Sequence, residues 1–309
     1  MSKYSIFLLI LLITGCQPQV QITQVPINNT FQIIQNTTQI NNSIPIINNI
    51  ISTPTLHYGN LTVYFMDVGQ GDGIFIITPN NKTILIDGGE ENKGISDVEF
   101  IRDLGFLEID YAILTHPDSD HLGALAYVIP KMRPKIIFDN GQEKDTNSYL
   151  TYKSTWNNNH QVVSQDIGFE FDNLLSSAFI VAFDDGYGFS NNVNENSVLL
   201  KLTYKNINFL FTGDCEEDCE ARVGNSDLKA DVLKVGHHGS CTSSKTYFLN
   251  KVNPKYSVIQ VGKDNQYNHP CNDVLSRLIN IGSKTYRNDI SGFVTITTDG
   301  DKISIITQK

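Results

Sequence analysis

Short apolar runs that end in clusters of polar residues recur along most of this sequence, and this arrangement limits the folds open to it. Leu61–Phe65, Thr83–Ile86 and Val198–Tyr204 have the length and composition of buried strands, and helical segments separate several such runs. An apolar content of 40% is enough for a packed core. Interleaved strands and helices predict a layered α/β sandwich in which one rim collects the functional side chains.

The densest polar cluster is the stretch LTHPDSDHLG, which follows a predicted strand over residues 111–114. It holds His116, Asp118, Asp120 and His121 within six consecutive positions. Imidazoles and carboxylates are the ligands of divalent metals, and this spacing allows one loop to face two ions. A helix over residues 122–129, closed by Pro130, is predicted to follow. An isolated histidine is more often structural, but four such residues together favour a metal site.

Further polar residues also follow predicted strand ends. They are Asp87, Asn196, Ser197, Asp214, His237, His238 and His269. Since strand ends meet at the rim of a layered sandwich, we expect these side chains to converge on the same site.

The segments FMDVGQGDGIFI, ILIDGG, LTHPDSDHLG, FTGD, LKVGHHGS and NQYNHP, in this order, resemble the metallo-β-lactamase superfamily. The resemblance is closest to the branch found as the extracellular domain of ComEC-type competence proteins, here as a stand-alone, membrane-tethered relative. It covers most of the chain after residue 60. It implies a four-layer αββα sandwich with a two-metal site at the sheet edge.

The resemblance also implies roles for individual residues. His116 and Asp118 would bind the first metal, Asp120 and His121 the second, and Asp214 would bridge both, while Asp87 would orient a ligand histidine. The last ligand is expected to be His269, with His238 transferring a proton to the leaving group; the alternative is that His237 or His238 is the ligand. The residues expected to act in catalysis are His238, His237, Asp120, Asn196 and Ser240.

Two departures from the superfamily pattern concern the first metal. Asp118 stands where the HxHxDH motif has its second histidine, and Asn194, Asn196 and Ser197 occupy the region of another ligand histidine. His116 would be the only nitrogen ligand of that ion. Oxygen-rich ligation weakens the preference for Zn²⁺ and admits Mn²⁺ or Mg²⁺. We expect two divalent ions, Zn or Mn, with the first site the weaker.

These features predict a metal-dependent hydrolase, with a metal-bound hydroxide attacking a phosphodiester and with DNA among the candidate substrates. The formal charge of −10 argues against a broad electrostatic grip on nucleic acid. The alternatives are a hydrolase of a small surface ester, lactone, amide or phosphorylcholine-type group, and a non-catalytic binding module stapled by metal. The oligomeric state is not predicted.

The first residues, MSKYSIFLLILLITGC, have the pattern of an export signal whose last four residues resemble a lipobox. We predict a lipoprotein signal peptide over 1–15, an acyl chain on Cys16, an Asn-, Gln- and Ile-rich tether over 16–57 and the folded domain over 58–309. An ordinary export signal or an uncleaved anchor is the alternative. Each version predicts a location outside the cytoplasm, at the cell surface.

The four cysteines beyond Cys16 are predicted to form disulfides in such an oxidising compartment. Cys241 with Cys271 is the favoured pairing because both flank candidate site histidines. The alternative for Cys215 and Cys219 is half of a metal site, although no second pair at suitable spacing supports it.

Overall fold

The computed structural model describes residues 59–183 and 188–309, which form two β-sheets flanked by helices. The predicted signal peptide 1–15, the tether 16–57 with Cys16 and the first predicted domain residue, 58, lie outside the described residues. Their boundaries therefore stay predictions. In the described ranges, no helix combines the length and apolar character needed to cross a membrane.

The strands of the described residues fall into an eight-stranded and a seven-stranded sheet. They are β1 (Leu61–Phe65), β2 (Ile74–Ile77), β3 (Thr83–Ile86), β4 (Tyr111–Ile113), β5 (Ile136–Asp139), β6 (His160–Val162), β7 (Ile167–Gly168), β8 (Ser176–Val181), β9 (Val198–Tyr204), β10 (Ile207–Phe211), β11 (Val232–Lys234), β12 (Tyr256–Ile259), β13 (Lys284–Arg287), β14 (Val294–Thr298) and β15 (Ile303–Thr307). The first sheet has the order β15-β14-β1-β2-β3-β4-β5-β6 and the second β13-β12-β11-β10-β9-β8-β7.

Each sheet is antiparallel in one part and parallel in another. In the first, β14, β1, β2 and β3 alternate in direction, and β3, β4, β5 and β6 run parallel. In the second, β8, β9 and β10 alternate, and β10 to β13 run parallel. Parallel strands need crossover connections, which here include most of the helices. Loops that follow parallel strands emerge at the same edge, which is where the candidate site lies.

The helices are α1 (Gly94–Asp103), α2 (Ser119–Leu122), α3 (Leu125–Met132), α4 (Asn147–Ser154), α5 (Glu217–Arg222), α6 (Thr246–Val252), α7 (Asn272–Asn280) and α8 (Asn288–Ser291). Three apolar clusters define the layers. One lies between the sheets, one joins the first sheet to α1, α3 and α4, and one joins the second sheet to α5, α6 and α7. This arrangement confirms the predicted αββα sandwich, in which each sheet is buried on both faces.

Several predicted elements have the predicted bounds, among them β1, β3 and β9. The helix predicted over 122–129 is different: α2 ends at Leu122, α3 starts at Leu125, and Pro130 lies inside the last turn of α3. Arg133, in the left-handed conformation with φ 45°, ends the helix instead. The prediction that Pro130 closes this helix was therefore wrong.

Two disulfides are formed, Cys215 with Cys219 and Cys241 with Cys271. The favoured pairing is confirmed. The half-site reading of Cys215 and Cys219 is wrong, since both thiols are consumed by their mutual bond.

Candidate metal centre

Four strands from the two sheets end at one rim and lead into the loops that carry the ligand-type residues. Asp87 follows β3, His116 lies three residues beyond the end of β4, Asp214 follows β10, and His238 follows β11. Each of these residues is at most 3% exposed. The centre therefore lies where the edges of both sheets meet.

Asp87 fixes the orientation of the loop that carries the histidine cluster. Its two carboxylate oxygens accept hydrogen bonds from the backbone N–H of Thr115 at 2.8 Å and from the Thr115 hydroxyl at 2.7 Å. Oδ2 also lies 2.9 Å from Nδ1 of His121. This contact leaves Nε2 of His121 to face the centre.

The glycine-rich segment before β2 packs directly on the same loop. At Gly71, with φ 127°, an added Cβ would lie 2.2 Å from the backbone oxygen of Asp120. The next residue, Asp72, donates its backbone N–H to that oxygen at 3.2 Å. Only glycine permits this close approach, and the contact places the Asp72 carboxylate in the centre.

Two histidines and two aspartates form the more compact half of the centre. Nε2 of His238 lies 3.3 Å from Oδ2 of both Asp120 and Asp214, and Nε2 of His121 lies 3.2 Å from Oδ2 of Asp214. One nitrogen or oxygen atom from each of Asp120, His121 and His238 lies within 4.8 Å of the others. Two imidazoles with two carboxylates suit a divalent transition metal.

The other half of the centre is looser. Nε2 of His116 lies 3.9 Å from Asp214 Oδ2 and 3.7 Å from Asp118 Oδ2. Ser197 supports this half, because its hydroxyl accepts the backbone N–H of Asp214 at 3.1 Å and lies 3.5 Å from Nδ1 of His116. Asp118 is less buried than its neighbours, with 30% of its side chain exposed.

Buried polar atoms without hydrogen bonds point into the centre. Among the described residues they include Nε2 of His116, His121 and His238 and Oδ1 of Asp214. Three inward nitrogens that make no hydrogen bond despite nearby carboxylates are rare in a folded core unless they coordinate something. The donor set therefore fits a bound divalent metal.

The charges of the centre support the same conclusion. Burial acts to lower the pKa values of His121 and His238, but Asp214 and the neighbouring carboxylates hold both well above the ordinary value. Burial conversely acts to raise the pKa of Asp214, which His121 and His238 hold well below its usual range. A carboxylate field that retains protons on buried imidazoles also attracts a divalent cation.

The turn Gly236–Gly239 separates two adjacent histidines. His237 and His238 both have left-handed backbones, with φ of 44° and 51°. Such a conformation costs each non-glycine residue about 1 to 2 kcal/mol. It sends His238 into the centre, with Nδ1 2.9 Å from the backbone oxygen of Gln260, and leaves His237 at the rim with 24% of its side chain exposed.

His237 is paired with a buried glutamate. Its Nδ1 contacts Glu216, which also accepts hydrogen bonds from Thr242 Oγ1 and Asn192 Nδ2, both at 2.7 Å. Burial acts to raise the pKa of Glu216, but the hydrogen bonds and the charge of His237 lower it to about 2. The opposite nitrogen of His237, Nε2, lies 3.8 Å from Asp214 Oδ2. A carboxylate–imidazole pair thus borders the centre on its open side.

The fold and this geometry agree with a family comparison. The model of the metallo-beta-lactamase superfamily matches residues 66–263, which is more than half of the chain. The chain belongs to the metallo-β-lactamase superfamily. A hydrolase-like fold is what members of this superfamily have, and their rim generally binds divalent metals.

This metallo-β-lactamase family member is similar to competence proteins. It is 28% identical to "ComE operon protein 3" of Bacillus subtilis over 75% of the chain and 32% of that protein. It is 31% identical to "Recombination protein 2" of Haemophilus influenzae over 78% of the chain and 29% of that protein. The chain therefore spans about a third of the length of these relatives. Among solved structures, the diiron β-hydroxylase CmlA from Streptomyces venezuelae has a similar fold, with a TM-score of 0.50 at 13% identity over 77% of this chain and 54% of CmlA.

The predicted ligands come together at the rim, with Asp87 behind them; they are His116, Asp118, Asp120, His121 and Asp214. The positions of His238 and His269 differ from the expectation. The ring of His269 lies 5.4 Å from the ring of His237 and stacks on Tyr267 at 5.8 Å. Burial and the adjacent His237 and His238 lower the pKa of His269 to about 4. The distances to Asp120 and Asp214 favour His238, and not His269, as the last ligand.

Asn196 and Ser240 do not face the centre. The Asn196 amide binds the backbone N–H and oxygen of Ser190 at 2.8 and 2.9 Å and the side chain of Gln142 at 3.1 Å. The Ser240 hydroxyl bonds to Thr242 Oγ1 at 2.7 Å. Both side chains brace loops, whereas the amide of Asn194 lies 3.4 Å from both His237 ring nitrogens.

Three buried residues beside the centre were not predicted from the sequence. Lys234 is fully buried; its ammonium contacts Asp72 Oδ2, donates to the Gly213 backbone oxygen at 3.0 Å and lies 3.8 Å from Asp214 Oδ1. Burial acts to raise the pKa of Asp72, but Lys234 and the two histidines hold it below its ordinary value. Glu216 is the third. The available signals were a lysine inside an apolar strand and an aspartate within GQGDG.

Proposed function

We propose that this protein is a metal-dependent phosphodiesterase, with nucleic acid as the leading substrate class. The observation that carries the proposal is the convergence of three buried imidazole Nε2 atoms with Asp120 and Asp214, beside the partly exposed His237 and its buried partner Glu216. Divalent ions held here would activate water and neutralise charge on a phosphoryl oxygen.

The residues of the chain divide the remaining work between them. Asp120, His121 and His238 would hold one ion, His116 and Asp118 the other, and Asp214 would contact both. Asp87 keeps His121 in the orientation that exposes Nε2. Lys234 keeps Asp72 charged in a buried site and lies 3.8 Å from Asp214.

His237 is the residue placed to deliver a proton to the departing oxygen. It is partly exposed, it borders the centre through Nε2, and Glu216 holds its other nitrogen. Glu216 fixes the orientation of the ring. The expected role of His238 in proton transfer thereby passes to its neighbour, since His238 lies 1% exposed between carboxylates.

The test measures turnover of single-stranded DNA, double-stranded DNA, RNA and bis-p-nitrophenyl phosphate with Zn²⁺, Mn²⁺ or Mg²⁺. Turnover with at least one of them that Asp120→Ala abolishes would support a phosphodiesterase. Identical rates for wild type and Asp120→Ala with every substrate would refute it.

A second function, hydrolysis of a small surface ester or phosphorylcholine-type group, is favoured by an acidic groove next to the centre. The groove, of about 580 Å³, is lined by Glu90, Glu91 and Ser119, and Ser119 lies between Asp118 and Asp120. Together with the net charge of −10, it repels long polyanions. Salt dependence separates the two functions: nucleic-acid turnover should weaken steeply as salt rises, and small-ester turnover should not.

We also propose that the protein acts at the cell surface, held to the membrane by a lipid on Cys16. The export signal and lipobox-like segment of the sequence support this location. Labelling with radioactive palmitate should mark the wild-type protein and leave Cys16→Ser unlabelled. Equal labelling of the two would refute the anchor.

A further inference from the structure

A lysine from another part of the sequence enters the looser half of the centre. The ammonium of Lys144 contacts Asp118 Oδ1, while Asp118 Oδ2 lies 3.7 Å from Nε2 of His116. The single carboxylate of Asp118 is therefore shared between a lysine and the position where the first metal would bind. In the described part of the chain, no other candidate ligand is paired with a lysine from the surface.

The loop that carries Lys144, between β5 and α4, is braced on both sides. Before Lys144, the Asn140 amide donates to the backbone oxygen of Asn196 at 2.9 Å, and Gln142 accepts from the Asn196 side chain at 3.1 Å. After it, Thr146 caps α4 by accepting the backbone N–H of Tyr149 at 3.3 Å. A braced loop lowers the entropy lost when the ammonium is held at Asp118.

Charge balance gives the contact a consequence. Apart from Glu216, which is paired with His237, five carboxylates face or support the centre, against two lysines, Lys234 and Lys144; the carboxylates are Asp72, Asp87, Asp118, Asp120 and Asp214. With both lysines and one divalent ion, a single negative charge remains. A second ion makes the centre positive if Lys144 stays and neutral if Lys144 leaves. Because Lys144 and the second ion would be two cations at the same carboxylate, entry of the second ion favours departure of Lys144.

We propose that the ammonium group of Lys144 competes with the first-site metal for the carboxylate of Asp118. The protein then binds one divalent ion tightly, on the side of Asp120, His121 and His238, and a second ion weakly. Lys144 is a positioning residue that sets how many ions the centre holds. The proposal concerns metal loading alone and does not depend on which bond the enzyme hydrolyses.

The experiment titrates the metal-free full chain with Mn²⁺ by calorimetry, followed by metal analysis after gel filtration. The variants are Lys144→Met and Lys144→Gln, which remove the charge, and Lys144→Arg, which keeps it. Lys153→Met is the matched control, because Lys153 lies in α4 of the same segment and contacts Glu143, which is not a candidate ligand. Circular dichroism confirms that each variant is folded, and the two neutral variants guard against a failure of one substitution.

Wild type, Lys144→Arg and Lys153→Met should bind one ion tightly and a second at least about tenfold more weakly. The neutral variants should tighten the second ion by at least about tenfold and leave the first unchanged, because a unit charge beside the ligand has been removed. The proposal is overturned if the neutral variants keep the wild-type affinity for the second ion. Wild-type protein that binds two ions equally tightly, or none, also overturns it.

Discussion

Asp87 lies 2.9 Å from Nδ1 of His121, and this contact directs the opposite nitrogen of the imidazole towards Asp214, 3.2 Å away. Asp87 is fully buried, and the other hydrogen bonds of its carboxylate come from Thr115. The carboxylate therefore controls a ligand histidine without reaching the centre itself. Two adjacent strand ends, those of β3 and β4, are locked together by the same residue.

Asp87→Asn is expected to weaken metal binding by about 10- to 100-fold, because the amide orients His121 less firmly and does not support its charge. Calorimetric titration with Zn²⁺ measures the change. Asp110→Asn is a suitable control, because the Asp110 carboxylate accepts hydrogen bonds from Thr83, at the opposite end of β3 from Asp87. Equal metal affinity in wild type and Asp87→Asn would contradict the role assigned to Asp87.

His238→Ala and His269→Ala should separate the two candidates for the last ligand. His238 lies 3.3 Å from both Asp120 and Asp214, so its loss should weaken metal binding by more than about 100-fold, beyond the effect of losing an orienting residue. His269→Ala should retain wild-type metal content. Metal analysis after gel filtration measures both, and the reverse pattern would restore His269 as the ligand.

His237→Ala should lower turnover by about 10²- to 10⁴-fold on substrates with a poorly leaving alkoxide, because the proton donor is lost. Bis-p-nitrophenyl phosphate, whose leaving group departs without a proton, should be much less affected. Glu216→Gln should act in the same direction, since Glu216 holds the His237 ring. Bound metal should stay at the wild-type level in both variants, and an equal loss on both substrates would argue against proton donation.

Glu220→Gln should reduce the pH dependence of unfolding between pH 5 and 8, because the amide does not titrate. Burial raises the pKa of Glu220 to about 8, against an ordinary value of 4.5, so the folded state holds a proton that the unfolded state releases. Wild-type stability attributable to this group is complete below pH 4.5 and declines as pH rises to about 8, by a few kcal/mol in total. Urea unfolding between pH 5 and 8 measures the difference between variant and wild type.

Glu217→Gln is the control for this effect, because Glu217 lies on the same helix and its side chain is 60% exposed. It should leave the slope unchanged. Burial also raises the pKa of Asp97 to about 8, so Asp97 adds to the loss of stability with rising pH, equally in wild type and in both variants. If Glu220→Gln follows the wild-type slope, the buried carboxyl is ionised throughout this range.

Much of the rim could be predicted from the sequence because its residues follow strands with clear apolar patterns. Asp87, the 116–121 cluster and Asp214 each come directly after such a run, and strand ends converge by geometry. The choice between His238 and His269 could not be made this way. It depends on two successive left-handed residues in the turn Gly236–Gly239, a local conformation that apolar periodicity does not encode.

Lys234 and Lys144 escaped prediction for a different reason. Lys234 lies within a buried strand, and the apolar residues around it predict the strand but not the role of the lysine. Lys144 contacts Asp118, which is 26 residues away in the sequence. Long-range ion pairs of this kind depend on tertiary placement. For Asn196 the sequence predicted a role that the geometry does not support. Its type and position suited an oxygen-binding role, but its amide is hydrogen-bonded to Ser190 and Gln142.

The Cys241–Cys271 bond ties the turn of His237 and His238 to the loop of His269, and the Cys271 backbone N–H adds a hydrogen bond to Gly239 at 2.8 Å. A chain that folds where thiols stay reduced would form this turn without its covalent clamp. Formation of the metal centre then depends on an oxidising compartment. Protein prepared in a reducing cytoplasm would hold His238 less firmly than protein matured outside it.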